Sequence, residues 1–518
     1  MGKKFKQLLL THKAFWLTLV IFLAGTFTLL DTSKHFAFNL EPYPDGLFYT
    51  LPAWNFVHGN GFSMRFAGKT IQNLVPPLYS VLLIPFYFLF PTPVAFYALN
   101  VMLGALSLYI FYRILSEHTN QKTTLIFTPL LALLPVILWL PSLPMAENLV
   151  LPLVILIIWL WFTKQILLKK KVIWLPLLQV ALFLTKYSTF TFLIPFNTLF
   201  LWEIVKEKRY SELRRYAGIS FVIFLGYLIV SQPAFLLRVF QAQKESKTDS
   251  ELVAFSAGYF SENFLVYLKT LVGLPSWFLW EKIMLVIPGF AFLPFLAFKK
   301  KSQQVVQARK LLLIAFGVVF LQSFFYAVDA RYLIATVPLI FIATALGFYS
   351  FSKTRYFNRA LILLTLLVLA LLVSQRGFYK RLIASNWFHR SRAWQYEAIL
   401  HFKQLNLPVD SYLVTALPPY LFTFYYPSAP NILPLSETQE FMNEQQRPWS
   451  AEINYQNLLE SYHSLLENGE TLYISNAYIT HLKSVVEDFE EYKNQFELKP
   501  ISSDCDQACN VYQLYLPK

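Results

Sequence analysis

Apolar runs of membrane-spanning length recur along most of this 518-residue chain, from Ala14 to Ser374. A bilayer core of about 30 Å takes about 20 helical residues. Runs of that order lie at 13–31, 93–115, 123–141, 148–164, 172–185, 187–205, 217–237, 282–298, 311–328, 332–351 and 360–374. Backbone inside lipid must satisfy its own hydrogen bonds, so such runs leave little choice but helices. The composition agrees: 56% of residues are hydrophobic, 18% aromatic and only 14% charged, against roughly 25% charged in an average soluble domain. The expected fold is a polytopic α-helical membrane protein.

The formal charge of +14 invites a nucleic-acid reading, but the basic residues sit in short loops between apolar runs, as in cytoplasmic loops of membrane proteins. The chain has no polar, Arg-rich domain to grip a duplex, so no nucleic-acid partner is expected. Lys3, Lys4, Lys6 and Lys13 place the N-terminus inside; MGKKFKQ and the run after it read as a retained signal anchor. The clusters Lys169–Lys171, Lys206–Arg215, Lys299–Lys301 and Lys353–Arg359 also belong inside. These assignments agree only if the apolar piece PPLYSVLLIPFYFLF (76–90) does not cross. It is short and interrupted by Pro85, and reads as a re-entrant or interfacial helix of the first external loop, 32–92. The result is about eleven transmembrane helices and an external C-terminus.

The other external parts are then SLPMAEN (142–148), TKYS (185–188), a longer loop at 238–281, VDARY (328–332) and the tail. The tail alternates strand-like runs (SYLVTAL, TLYISN, NVYQLYL) with amphipathic stretches (NYQNLLESYHSLLENG, HLKSVVEDFEEYKNQF), the pattern of a small α/β domain. The expected organisation is a transmembrane domain over 1–375 and an extracytoplasmic α/β domain over 376–518, joined by a basic-aromatic connector at 376–396. The tail has no glycine-rich phosphate loop. The two cysteines, Cys505 and Cys509, are too few for thiolate metal clusters; outside the membrane they suit either a disulfide closing a small loop or free thiols.

Four ionisable residues far apart in sequence fall at the outer membrane boundary under this topology: Asp45 in EPYPDGLFYT, Glu147, Lys186 and Arg331. Charges at that depth are costly and generally line a cavity or pair with one another. Two carboxylates and two cations on one rim suit a negatively charged head group. Each residue also has a plainer reading. Asp45 and Glu147 can cap helices, Lys186 can snorkel from a helix end, and Arg331 can pair with Asp329. Arg65 and Lys69 in MRFAGKT can be solvated loop charges, and His58 a turn residue rather than a metal ligand.

The ordered motifs PDGLFYTLPAWNFVHGNGF, PPLYS, MAENLVLP, LFLTKYSTFTFLIP and ARYLIATVPLI, over residues 1 to about 350, resemble those of the lipid-dependent GT-C glycosyltransferases. The likeness is to the group of protein O-mannosyltransferases and lipid A aminoarabinose transferases. The resemblance implies transfer of a sugar from a polyprenyl-phosphate donor to an acceptor hydroxyl on a lipid, protein or glycan, at the extracytoplasmic face, with inversion. It implies a bacterial inner or plasma membrane location. Asp45 matches the family's general base in the first external loop, and Glu147 stands where relatives carry a second acidic residue that orients the base, binds sugar hydroxyls or holds a divalent metal. Lys186 matches the lysine of the TK corner. Arg331 lies in the late external turn with Tyr332 beside it, and both cations suit the lipid phosphate. Two positions depart from the pattern. Asp45 is followed by Gly46 rather than Glu, and Val75 stands where some relatives have a phosphate-binding lysine, a role that falls to Lys69 or Arg65. No cofactor is implied beyond a divalent metal, with Asp45 and Glu147 as its ligands.

The alternatives are a polyprenyl-diphosphate oligosaccharide ligase or polymerase, a transporter and a membrane scaffold. A ligase would carry a larger, Arg-richer external loop. A transporter would place charges near the bilayer midplane.

Overall fold

A computed structural model of the chain describes residues 12–29, 45–66, 69–71, 75–90, 94–231, 256–272, 302–325, 330–352, 397–417, 419–435, 455–477, 483–502 and 510–517. The expected spans at 282–298 and 360–374, the connector 376–396 and both cysteines lie outside these residues. In chain order the elements are α1 (Lys13–Leu29), α2 (Asp45–Val57), β1 (Met64–Phe66), β2 (Lys69–Ile71), α3 (Leu78–Leu89), α4 (Val94–His118), α5 (Gln121–Ala132), α6 (Pro135–Trp139), α7 (Glu147–Phe162), α8 (Leu168–Thr185), α9 (Phe190–Lys206), α10 (Tyr210–Ser231), α11 (Phe260–Val272), α12 (Gln303–Gln322) and α13 (Thr336–Ser352). The tail follows with α14 (397–405), β3 (Tyr412–Thr415), α15 (Pro419–Tyr425), β4 (Asn431–Pro434), α16 (Tyr455–Glu467), β5 (Leu472–Ser475), α17 (Lys483–Gln495), β6 (Glu497–Ser502) and β7 (Val511–Tyr515). The protein is a polytopic α-helical membrane protein with a small C-terminal β-sheet domain.

Two compact units result, one of Met1–Leu30, Val75–Leu82 and Phe96–Ser385, the other of Asp31–Leu74, Leu83–Ala95 and Asn386–Lys518. The first is a helical bundle. Among the described residues, three helical segments are long and apolar enough to cross a membrane, Val94–His118, Tyr187–Lys206 and Gln303–Gln322. The expected continuous span at 123–141 is broken. Leu134 is extended (φ −64°, ψ 132°) because a residue before proline is driven out of the helical region, and the chain restarts as α6 at Pro135. Helix α3 has 12 residues with Pro85 inside it, about 18 Å of helix and too short for a bilayer core. Within the segment 238–281 read as a loop, residues 260–272 form helix α11.

Close approach and buried amides hold the bundle. Gly317 of α12 lies where a side-chain methyl would meet Cβ of Pro195 on α9 at 2.7 Å, so only glycine permits that crossing without a shift. Gln179, Asn197 and Tyr216 tie α8, α9 and α10 in a ring. Gln179 Nε2 donates to the Tyr216 hydroxyl (2.8 Å), Asn197 Nδ2 donates to Gln179 Oε1 (3.2 Å), and the tyrosine hydroxyl donates to Asn197 Oδ1.

The second unit contains a five-stranded sheet of order β4-β3-β5-β7-β6. Strand β3 runs parallel to β4 and β5, whereas β7 is antiparallel to β5 and β6. The three strand-like runs of the sequence are the central strands β3, β5 and β7. The amphipathic stretches are α16 and α17, whose Leu459, Tyr462, Phe489 and Tyr492 pack on Val414, Ile474 and Leu514 of the sheet. The same unit holds α2 and the hairpin β1–β2, in which Met64 pairs with Ile71 and Phe66 with Lys69.

Candidate active site

The corner before α7 is built by side-chain amides. A 3₁₀ turn at Leu140–Ser142 ends in extended Leu143, leaving carbonyls that no helix takes up. Asn100, fully buried on α4, donates from Nδ2 to the carbonyls of Pro141 (3.2 Å) and Leu143 (2.7 Å) and accepts from the Tyr79 hydroxyl (2.8 Å). Asn148 Nδ2 donates to the carbonyls of Leu143 and Met145, each at 3.0 Å. Polar backbone buried among apolar helices needs such partners. Replacing Asn100 by Leu strips three hydrogen bonds and is expected to cost about 1–3 kcal/mol of stability, read by thermal unfolding in detergent, and to loosen the corner that carries Glu147.

Glu147 is the first residue of α7 and has no exposed surface. It is not a cap: the N-cap position is Ala146, which makes no side-chain cap bond. Instead Glu147 Oε1 is ion-paired with Nζ of Lys186. Lys186 ends α8 in an extended conformation (φ −157°, ψ 122°), and its carbonyl accepts from the Thr189 hydroxyl (2.6 Å). That kink turns the lysine inward, so it does not snorkel. Its ammonium lies 4.8 Å from the centroid of the Tyr332 ring, within cation–π range. Arg331, on the 3₁₀ turn Ala330–Leu333, points Nη1 at Sδ of Met145, 3.7 Å away. Asp329, the local partner considered for Arg331, lies outside the described residues.

Glu147, Lys186, Arg331 and Tyr332, contributed by three separate corners, therefore converge. The other carboxylate oxygen, Glu147 Oε2, is buried with no hydrogen-bond partner among the described residues. At the far end of α7, Nζ of Lys171 donates to the carbonyls of Trp161 (2.8 Å) and Thr163 (2.5 Å). Helix α7 thus carries a carboxylate at its N-terminus and an ammonium at its C-terminus, each complementing the helix dipole.

Asp45, Arg65 and Lys69 belong to the second unit. Asp45 is the first residue of α2, Arg65 lies on β1 opposite Thr70, and Lys69 lies on β2 opposite Phe66. His58, the turn residue, stacks on Trp54 with ring centroids 3.8 Å apart. Among the described residues no three His, Cys, Asp or Glu side chains gather to hold a metal. The Glu147 carboxylate of this cluster meets the Lys186 ammonium through Oε1. Asn100, Asn148 and Tyr79 escaped the sequence reading, although a lone amide in the apolar run YALNVMLG was a usable signal.

Comparison of the sequence with protein-family models finds no match, and comparison with curated proteins finds none at a significant level. Solved structures do match. The crystal structure of ArnT from Cupriavidus metallidurans bound to undecaprenyl phosphate superposes with a TM-score of 0.62 at 12% identity, over 97% of this chain and 99% of that one. Its apo form gives 0.60 at 11% identity, over 97% and 98%. The Archaeoglobus fulgidus oligosaccharyltransferase in complex with Zn and sulfate gives 0.50 at 11% identity, over 96% of this chain and 73% of that one. The chain thus shares its fold with these structures. The likeness to ArnT extends over nearly the full length of both chains.

Proposed function

We propose that this protein is a membrane glycosyltransferase that moves a sugar from a polyprenyl phosphate to an acceptor hydroxyl at the extracytoplasmic face, with inversion. The observation that carries the reading is the cluster of Glu147, Lys186, Tyr332 and Arg331 at helix ends, on a fold shared with a protein solved with undecaprenyl phosphate. In this scheme Asp45 takes the proton of the acceptor hydroxyl as its oxygen attacks the anomeric carbon. The bond from that carbon to the phosphate oxygen breaks, and the lipid phosphate leaves with the electron pair. Lys186 and Arg331 stabilise the charge that develops on it, as fixed cations do when solvent need not reorganise around them. Glu147 keeps Lys186 in place through Oε1 and offers Oε2 to a sugar hydroxyl. Arg65 and Lys69 add positive charge along the first-loop hairpin.

The topology that accompanies the reading has a cytoplasmic N-terminus and an extracytoplasmic tail, in a bacterial inner or plasma membrane. The acceptor is a lipid, protein or glycan, and no step is assigned to a metal. The test is an assay of the purified protein with a panel of polyprenyl-phosphate sugars, scoring free lipid phosphate. At least one donor is expected to release it. Release from none would remove the proposal.

A further inference from the structure

Helix α2 is poorly equipped to hold itself straight. It has 13 residues with Pro52 inside, so one rung of its hydrogen-bond ladder is missing, and a helix of this length is marginal alone. Packing must hold it. Asn55, almost fully buried, donates from Nδ2 to the carbonyl of Ser63 (2.8 Å) and ties the helix to its hairpin. The other support comes from the tail. The half-buried indole of Trp54 meets the buried Phe424 of α15 edge to face, with centroids 5.3 Å apart, and Tyr87 of α3 at 5.7 Å. Helix α15 also packs against β1. Trp54 lies about 14 Å along the helix axis from Asp45, and the only aromatic ring from the C-terminal domain recorded against it, among the described residues, is Phe424.

We propose that the Trp54–Phe424 contact makes the C-terminal domain a positioning element of the transfer reaction: it fixes the direction of α2 and hence the place of Asp45. This rests on the reading of Asp45 as the base. Trp54 and Phe424 are positioning residues, acting through the helix rather than on substrate.

Two readouts test this on the full-length protein. The first needs no activity. Hydrogen exchange by mass spectrometry should show the α2 amides losing protection by about tenfold or more in Phe424→Leu, while the strands β3 and β5 keep theirs. Trp54→Leu approaches the contact from the other side and should give the same loss, so a variant that unsettles its own segment is answered by its partner. Unchanged α2 protection in both would overturn the proposal. The second readout is turnover. Each single variant should lower kcat by about tenfold with donor KM within about twofold, since small misplacements of reacting groups are costly. The double variant should be no worse than about twofold below either single, because the two residues act as one contact. Trp54→Phe and Phe424→Tyr, which keep a ring in place, should restore most of the rate. Lowered protection with unchanged kcat, or losses that multiply in the double variant, would overturn the positioning role. If the wild type transfers from no donor, or Asp45→Asn turns over normally, the functional reading fails separately, and exchange still decides the contact.

Discussion

Replacing Asp45 by Asn is expected to lower kcat by about 10²- to 10⁴-fold, the range that a positioned general base supplies. The substitution keeps the size and hydrogen-bonding shape of the side chain and removes only its capacity to take a proton. Asn is also a good residue at helix starts. Because Asp45 opens α2, a purely structural role there would survive the change. Insertion, thermal unfolding and donor KM should therefore stay near wild type while release of lipid phosphate collapses. Turnover within about threefold of wild type would take the base assignment away from Asp45, since the catalytic term at stake is far larger.

Removal of Lys186 should have an effect of comparable size, but on folding first. Lys186→Met leaves the Glu147 carboxylate, which has no exposed surface, without its ammonium partner. Breaking a buried pair on one side costs about 3–5 kcal/mol. Exchanging both members for apolar residues of similar volume is often neutral, so Glu147→Leu with Lys186→Met should recover most of the lost stability in a detergent unfolding experiment. The double variant then separates the two roles of the pair. Folded but inactive protein, with impaired use of the donor, places the Glu147–Lys186 pair at the donor. Restored folding together with restored turnover would reduce the pair to a structural pin.

The apolar helices were legible because membrane helices advertise themselves by length. The inner strands of the tail were legible because β3, β5 and β7 carry β-branched and aromatic residues. The strands NILP and ELKPIS were not, since proline argues against a strand. Their place explains the exception: β4 and β6 are the two edges of the sheet. Pro434 ends β4, and Pro500 sits beside the irregularity at Ser502. At the site, the cost of charge at helix ends singled out Glu147 and Lys186 as members of one set of four, without saying which of them would pair. Their pairing depended on the extended backbone of Lys186, which no local pattern encodes. Asn100 was missed because its signal is the cost of one amide in an apolar run rather than a periodicity, and the reading of that run rested on its length and hydropathy. The helix break before Pro135 was also written in the sequence, but the continuous greasiness of the run outweighed it.

Helix α7 is fastened at its N-terminal end by Lys186 and at its C-terminal end by Lys171. A rod pinned twice can neither slide along its axis nor spin about it without breaking a buried contact at one end. Glu147 and Lys186 are therefore held as a pre-set pair, whose spacing does not have to be re-established each time the protein works.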